Sequence, residues 1–284
     1  MSARPRLADL AELVRFPAAL TVPGDTLAGA AAAGRVGPRS AALPLASICF
    51  YWAGMALNDY ADRDLDATER PERPLPSGRV RPGHALAAAV GLSVSGMGIA
   101  ALTGGRSAAR TAGALAGVVW AYDLVLKEGP LGPAAMAAAR GLDVLLGASA
   151  AGRTSAGTGP AALLAVHTAG VTLLSRGEVH GAAATTARVA TGATVVTALG
   201  TALRGRALLP CALAVTYAAT VGRAQAAAVA TPDAGTVRRA TGVGIRGMIP
   251  LQAALAADRS PAAAWGILAV GPIARAASRV VSPT

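Results

Sequence analysis

Apolar positions along this chain form long runs, and polar residues gather in the short pieces between them. Ten runs can be drawn, at about 16–34, 40–58, 84–103, 108–127, 131–151, 160–177, 184–203, 206–226, 240–257 and 261–276. An α-helix needs roughly 20 such residues to cross a bilayer. The last two runs are short enough to pack as a hairpin. The pattern therefore predicts an all-α integral membrane bundle of about nine transmembrane helices, forming one domain over residues 1–284. Met1–Val14 is too polar and acidic for a signal peptide, so Arg15 onward is expected in the mature protein.

Composition agrees with the pattern. Hydrophobic residues make up 53% of the 284, charged residues only 14%, and mean hydropathy is +0.48. The net charge of +11 would point to nucleic acid in a soluble protein. Here the basic residues lie in the connections between apolar runs, which suits anionic lipid headgroups and an anionic substrate, not nucleic acid. Lys127 is the only lysine, and the wealth of Arg, Ala and Gly suggests a high-GC bacterium and its cytoplasmic membrane. Cys49 and Cys211 lie inside apolar runs and read as small hydrophobes.

Positive charge orients the bundle. With the N-terminus cytoplasmic, sixteen Lys and Arg fall inside and eight outside, while Arg140 and Arg246 lie within helices. Arg4 and Arg279 count inside, and Arg39 outside. The 59–83 connection, the Lys127 turn and the 176–183 turn then share the cytoplasmic face. Nearly all the polar residues of chemical interest sit there, as one site would require.

The second run ends in Asn58, Asp59, Tyr60, Ala61, Asp62, Arg63, Asp64, Leu65 and Asp66. If the helix continues at about 100° per residue, Asn58, Asp59, Asp62 and Asp66 share one face and Asp64 points elsewhere. Carboxylates so close repel unless a cation sits among them. All-oxygen ligands at a cleft edge suit Mg²⁺, which keeps waters and adds substrate phosphate oxygens. A solvated loop pairing its own arginines is the plainer alternative. The next stretch holds Arg70, Arg73, Arg79 and Arg81 among Pro71, Pro74 and Pro76. The prolines exclude a helix, and the arginines suit bidentate phosphate binding or lipid headgroups.

These residues resemble a known family. Asn58-Asp59-x-x-Asp62-x-x-x-Asp66, followed by Arg73-Pro74-Leu75-Pro76-Ser77-Gly78, resembles the first Asp-rich motif of the UbiA superfamily of intramembrane prenyltransferases. Tyr122 to Lys127, Gly132-Pro133, Arg140 to Asp143, Ser175 to Gly181 and the opening Arg15 to Asp25 are similar to its EboC-like subgroup. The resemblance implies a helical bundle with a large cavity. It also implies Mg²⁺ bridging carboxylates to an isoprenyl diphosphate, and attack by a hydrophobic acceptor on the allylic cation. Where the family's second Asp-rich motif would mirror the first, Ser175 and Ala182 stand instead of carboxylates. A second metal site would rest on Glu178 alone, with His180 beside it.

Other polar residues carry two readings each. Lys127 is either a local partner of Asp123 at i+4 or a phosphate-binding lysine. Arg140 lies roughly 13 Å into its helix, with Asp143 one turn on as a structural partner or as part of a site. Asp25 is similarly deep and faces an acceptor or Arg140. Tyr51, Trp52, Tyr60, Trp120 and Tyr122 either stabilise an allylic cation or anchor the helices at the headgroups.

The expected function is Mg²⁺-dependent prenyl transfer. Asp59, Asp62, Asp66, Lys127 and Glu178 are the catalytic candidates. Asn58, Asp59, Asp62, Asp66 and Glu178 are the metal ligands. Arg73, Arg79, Tyr122, Lys127, Arg140 and Arg176 are the substrate-binding candidates. A terpene cyclase on the same scaffold, or a non-catalytic binder or transporter of a prenyl lipid, are the alternatives.

Overall fold

The computed structural model describes residues 6–37 and 40–277, so Arg4, Arg39 and Arg279 of the charge tally lie outside the described residues. It is all-helical, with no strand among those residues. A short helix α1 (Leu7–Leu13) is followed by a 3₁₀ turn (Phe16–Thr21) and α2 (Pro23–Ala32). Then come α3 (Leu43–Ala61), α4 (Arg63–Glu69), α5 (Pro82–Ala121), α6 (Gly132–Ser149), α7 (Thr158–Ser175), α8 (Ala184–Arg204), α9 (Leu208–Ala230), α10 (Ala234–Ala257) and α11 (Pro261–Ala277). Prolines 23, 44, 82 and 133 stand in the first turns of their helices, where the missing N–H has no partner to lose.

Helix α5 is two limbs. Gly105 takes φ +63° and ψ −152°, backbone that glycine adopts without a Cβ penalty, and the chain reverses there. Trp120 Nε1 donates to Ser93 Oγ at 3.1 Å, which brings together residues that a straight helix would hold far apart. Each predicted apolar run thus has its own helix or limb. By length and composition alone, three stretches among the described residues are long and apolar enough to cross a membrane: Ser40–Ala61, Pro82–Leu126 and Thr154–Ser175.

The core is built of small residues. Gly29 packs on the Val144 carbonyl and Gly147 on the Thr26 carbonyl, pressing α2 against α6 so closely that a Cβ at either glycine would collide with backbone. Such contact is how helices gain packing where lipid supplies no hydrophobic drive. On the perimeter, Leu102, Val196, Leu199 and Leu203 are exposed, as the lipid-facing surface of an integral membrane protein requires.

One end of the bundle carries the polar connections. The 70–81 stretch is non-helical, as its prolines dictate, and is held by Ser77 N–H to Arg73 O and Val80 N–H to Pro74 O. Leu75 and Val80 bury beneath α1 against Leu13 and Leu57. Lys127 reaches Asp62, and Arg176 reaches the carbonyls of Lys127 and Gly129, so the three connections expected on one face do meet.

Candidate functional site

A cavity of about 320 Å³ opens between α3, α6, α7, α10 and the second limb of α5. Phe50, Leu115, Val119 and Met136 give it apolar walls, and Tyr51 and Tyr122 face into it. Thr168, Thr172, Ser175 and Thr241 add hydroxyls. Such a mainly apolar hollow with a few convergent polar groups is the usual form of a small-molecule site.

Carboxylates and cations alternate at the polar end. Helix α3 stops at Ala61, Asp62 turns with φ −90° and ψ 4°, and α4 restarts at Arg63. The expected unbroken helix is therefore interrupted at Asp62, although the bonds Asp62 N–H to Asn58 O and Asp66 N–H to Asp62 O keep the helical sense across the break. Asp59 and Asp66 are buried and share Arg73, at 3.7 and 2.7 Å. Arg15 adds a second guanidinium on Asp59 at 3.0 Å and touches Met55 Sδ. Asp62 is taken by Lys127. Asp64 points outward and pairs with Arg63, as expected.

The local Lys127–Asp123 pair does not form. Tyr122–Leu126 is a π-helical turn, with Lys127 N–H bonded to Tyr122 O, and the wider turn removes the i+4 alignment. Lys127 is thereby aimed at Asp62, while Asp123 is buried, lines the cavity and is hydrogen-bonded to Asn58. Arg79 turns to the N-terminal helix instead, bonding Asp9 at 2.8 Å and Glu12 at 2.6 and 2.9 Å. Those bonds hold the Asp9 carboxyl below its ordinary range and push the Arg79 guanidinium up. Arg176 braces the turn after Lys127 through carbonyls. Glu178 is half-buried with no ion pair among the described residues, and its carbonyl accepts from Arg238. His180 is exposed.

Deeper in, Arg140 pairs with Asp25 at 2.5 Å, not with Asp143 one turn away. Gln252 Nε2 donates to Asp25 at 2.6 Å, and Asp143 accepts from Ser47. Both aspartates are buried. Of the aromatic candidates, Tyr51 and Tyr122 line the cavity. Trp52 stacks on Phe16 at 5.4 Å, Tyr60 sits under Arg63, and Trp120 bonds Ser93.

The residues that sequence reasoning left without a role in the site are Arg15, Asp123, Ser47 and Gln252. Arg15 and Asp123 carried a signal, Arg15 in the opening motif and Asp123 as the i+4 neighbour of Lys127; Arg15 takes left-handed backbone at φ +48°.

The donor set fits Mg²⁺ in chemistry. Asn58, Asp59, Asp62, Asp66 and Asp123 are all oxygen donors at one rim. Among the described residues, no three carboxylates, histidines or cysteines gather closely enough to cage a metal by themselves. Magnesium ordinarily takes one or two carboxylates and completes its shell with water and substrate phosphate, so this arrangement suits a metal arriving with phosphate.

The family model "UbiA prenyltransferase family" matches residues 22–241. A digeranylgeranylglyceryl phosphate synthase of Halobacterium salinarum (strain ATCC 29341 / DSM 671 / R1) is 37% identical over 163 residues, 56% of this chain and 59% of that protein. The curated relatives that the chain matches are spanned over 18% to 59% of their length. A solved structure described as that of digeranylgeranylglyceryl phosphate synthase in membranes superposes with a TM-score of 0.67 at 18% identity, over 89% of this chain and 98% of that one. A UbiA homologue from Archaeoglobus fulgidus, described as bound to GPP and Mg²⁺, superposes with a TM-score of 0.59 at 13% identity, over 84% and 99%.

Proposed function

This chain belongs to the UbiA prenyltransferase family, and from that premise we propose that it ionises an isoprenyl diphosphate at the rim of its cavity and transfers the prenyl group to a hydrophobic acceptor. The observation that carries this is the rim itself. Arg15, Arg73 and Lys127 each hold a carboxylate beside an apolar cavity whose wall includes Met55, which Arg15 touches, and Asp123. The relatives named as digeranylgeranylglyceryl phosphate synthases and the solved homologue described with GPP and Mg²⁺ support the same substrate class.

The chain's own residues divide the work. Arg73 and Lys127 exchange their carboxylate partners for phosphate oxygens and stabilise charge on the leaving diphosphate. Asp59, Asp62 and Asp66, with Asn58 and Asp123 beside them, would hold Mg²⁺, which would supply Lewis-acid neutralisation of phosphate charge. Glu178 lies on the adjoining turn as the remaining carboxylate candidate. Tyr51 and Tyr122 offer π-faces to the allylic cation, and the apolar walls keep water from it.

We place the protein in the cytoplasmic membrane of a bacterium, on composition, with the rim and N-terminus cytoplasmic on the sixteen-to-eight charge asymmetry. Cysteine-accessibility labelling at Glu69 and Arg204 checks that topology.

The test is diphosphate release by the purified protein in lipid nanodiscs with Mg²⁺ and C10, C15 or C20 isoprenyl diphosphate, followed by extraction of organic products. Asp62→Ala is expected to abolish release while helicity by circular dichroism is unchanged. Release near the wild-type rate from that variant refutes the assignment. A cyclised product formed without acceptor identifies a terpene cyclase. Binding without release, even with membrane lipid extract added, identifies a non-catalytic binder.

A further inference from the structure

The cavity has nearly the same depth along each helix of its wall. On α3 the lining residues run from Met55, which touches Arg15 at the rim, inward to Ser47. On α6 they run from Met136 to Asp143, and on α7 from Ser175 to Thr168. These runs span 8, 7 and 7 positions, or roughly 10–12 Å at 1.5 Å per residue. Hydrogen-bonded polar groups close the inner end. Asp143 accepts from Ser47 and is hydrogen-bonded to Asp25. Arg140, the one cation on the cavity wall among the described residues, holds Asp25 at 2.5 Å, and Gln252 donates to it at 2.6 Å. Both aspartates are buried, and α2 and α6 meet closely at Gly29 and Gly147. A hydrocarbon that advanced through this layer would part buried hydrogen bonds and an ion pair without replacing them, which is strongly unfavourable.

We propose that this polar floor sets the length of the prenyl tail, so that the protein selects a C10 isoprenyl diphosphate over C15 and C20. The proposal rests on the prenyl-transfer reading, which puts the diphosphate at the rim and the tail in the cavity. An extended carbon chain advances about 1.25 Å per bond, from the single-bond length and angle, so a C10 tail reaches about 9 Å, a C15 tail about 14 Å and a C20 tail about 19 Å. The C10 tail ends at the floor. The C15 tail overruns it slightly, and the C20 tail overruns it by more than half of the cavity's depth. Volume points the same way. At about 320 Å³ the cavity is near the small end of ligand pockets, and an acceptor must share it. Ser47, Asp143 and Arg140 are thus specificity-determining residues through the layer they form, and none of them touches the reacting carbon.

The experiment is equilibrium binding of C10, C15 and C20 isoprenyl S-thiolodiphosphates, which resist ionisation, to the protein in lipid nanodiscs with Mg²⁺. Partition into empty nanodiscs is measured and subtracted, because longer tails enter lipid more readily. C10 is expected to bind at least about tenfold more tightly than C20, with C15 between them. Leu115 lines the inner end from the second limb of α5, eight positions before Asp123. Leu115→Ala makes room there, and each methylene so accommodated is worth about fourfold in affinity, so the variant should narrow the gap between C10 and C15. Should this variant not fold, the order of the three lengths on the wild-type protein decides. Affinity that is equal at all lengths or rises with length means that the tail leaves the cavity sideways into lipid, and overturns the proposal. So does a folded Leu115→Ala with an unchanged gap. Binding at no length overturns this proposal together with the diphosphate reading, whereas binding without the length order overturns this proposal alone.

Discussion

Removal of Arg140 is expected to expose the cost of the buried charge beneath the cavity. In Arg140→Leu, Asp25 stays fully buried and loses its one ion pair among the described residues. Breaking one side of a buried pair costs about 3–5 kcal/mol, because the remaining charge is uncompensated. Gln252 still donates to Asp25 at 2.6 Å, which places the expected loss at the lower end, about 3 kcal/mol. The double variant Asp25→Asn/Arg140→Leu removes the orphaned charge and keeps a hydrogen-bonding side chain for Gln252. It should recover most of the loss, with a coupling of about 1–3 kcal/mol between the two sites. Equilibrium unfolding in mixed micelles, followed by circular dichroism, measures all three proteins. An Arg140→Leu variant within about 1 kcal/mol of wild type, or a double variant no more stable than the single, refutes the reasoning.

Other consequences are as direct. Lys127→Met should leave Asp62 without its cation and cut diphosphate release by at least about tenfold, and Lys127→Arg should restore part of it; equal rates for Met and wild type would remove Lys127 from the site. Gly29→Ala drives a methyl into the Val144 carbonyl, and should destabilise the protein by about 1–3 kcal/mol in the same unfolding assay, whereas Gly98→Ala, with open space at its Cβ, should not. The Asp9–Arg79 contact depresses the Asp9 pKa below its ordinary 3.8. A depressed carboxyl contributes stability that is complete above its unfolded pKa and is lost as pH falls through the folded one. Tryptic cleavage after Arg15 in a brief pulse should therefore be unchanged from pH 8 to 6 and rise after preincubation below pH 4, and Arg79→Ala should raise it already at pH 7.

Much of this protein was legible along the chain because its physics there is local. Runs of Ala, Val, Leu and Gly long enough to span lipid announce helices whatever they pack against, and each of the ten has its helix or limb. Prolines within 70–81 exclude a helix by covalent geometry, and the carboxylates at 59, 62 and 66 declare a cation by mutual repulsion. The meeting of three connections followed from counting crossings, which needs no contacts. Partner choice was not available by such means. Arg140 has Asp143 one turn away and yet pairs with Asp25, 115 residues distant, because α2 lies against α6 on glycines. Lys127 passes over Asp123 for Asp62 because a π-turn rotates it, and a single turn of that kind leaves no periodic trace. Arg79 turns to α1, and Arg15 takes a place beside Arg73 at Asp59, because charged groups at a crowded rim settle by three-dimensional reach. The sequence by itself determined the helices, the membrane and the gathering of acids and bases at one end of the bundle. Only the tertiary structure decided which acid answers which base.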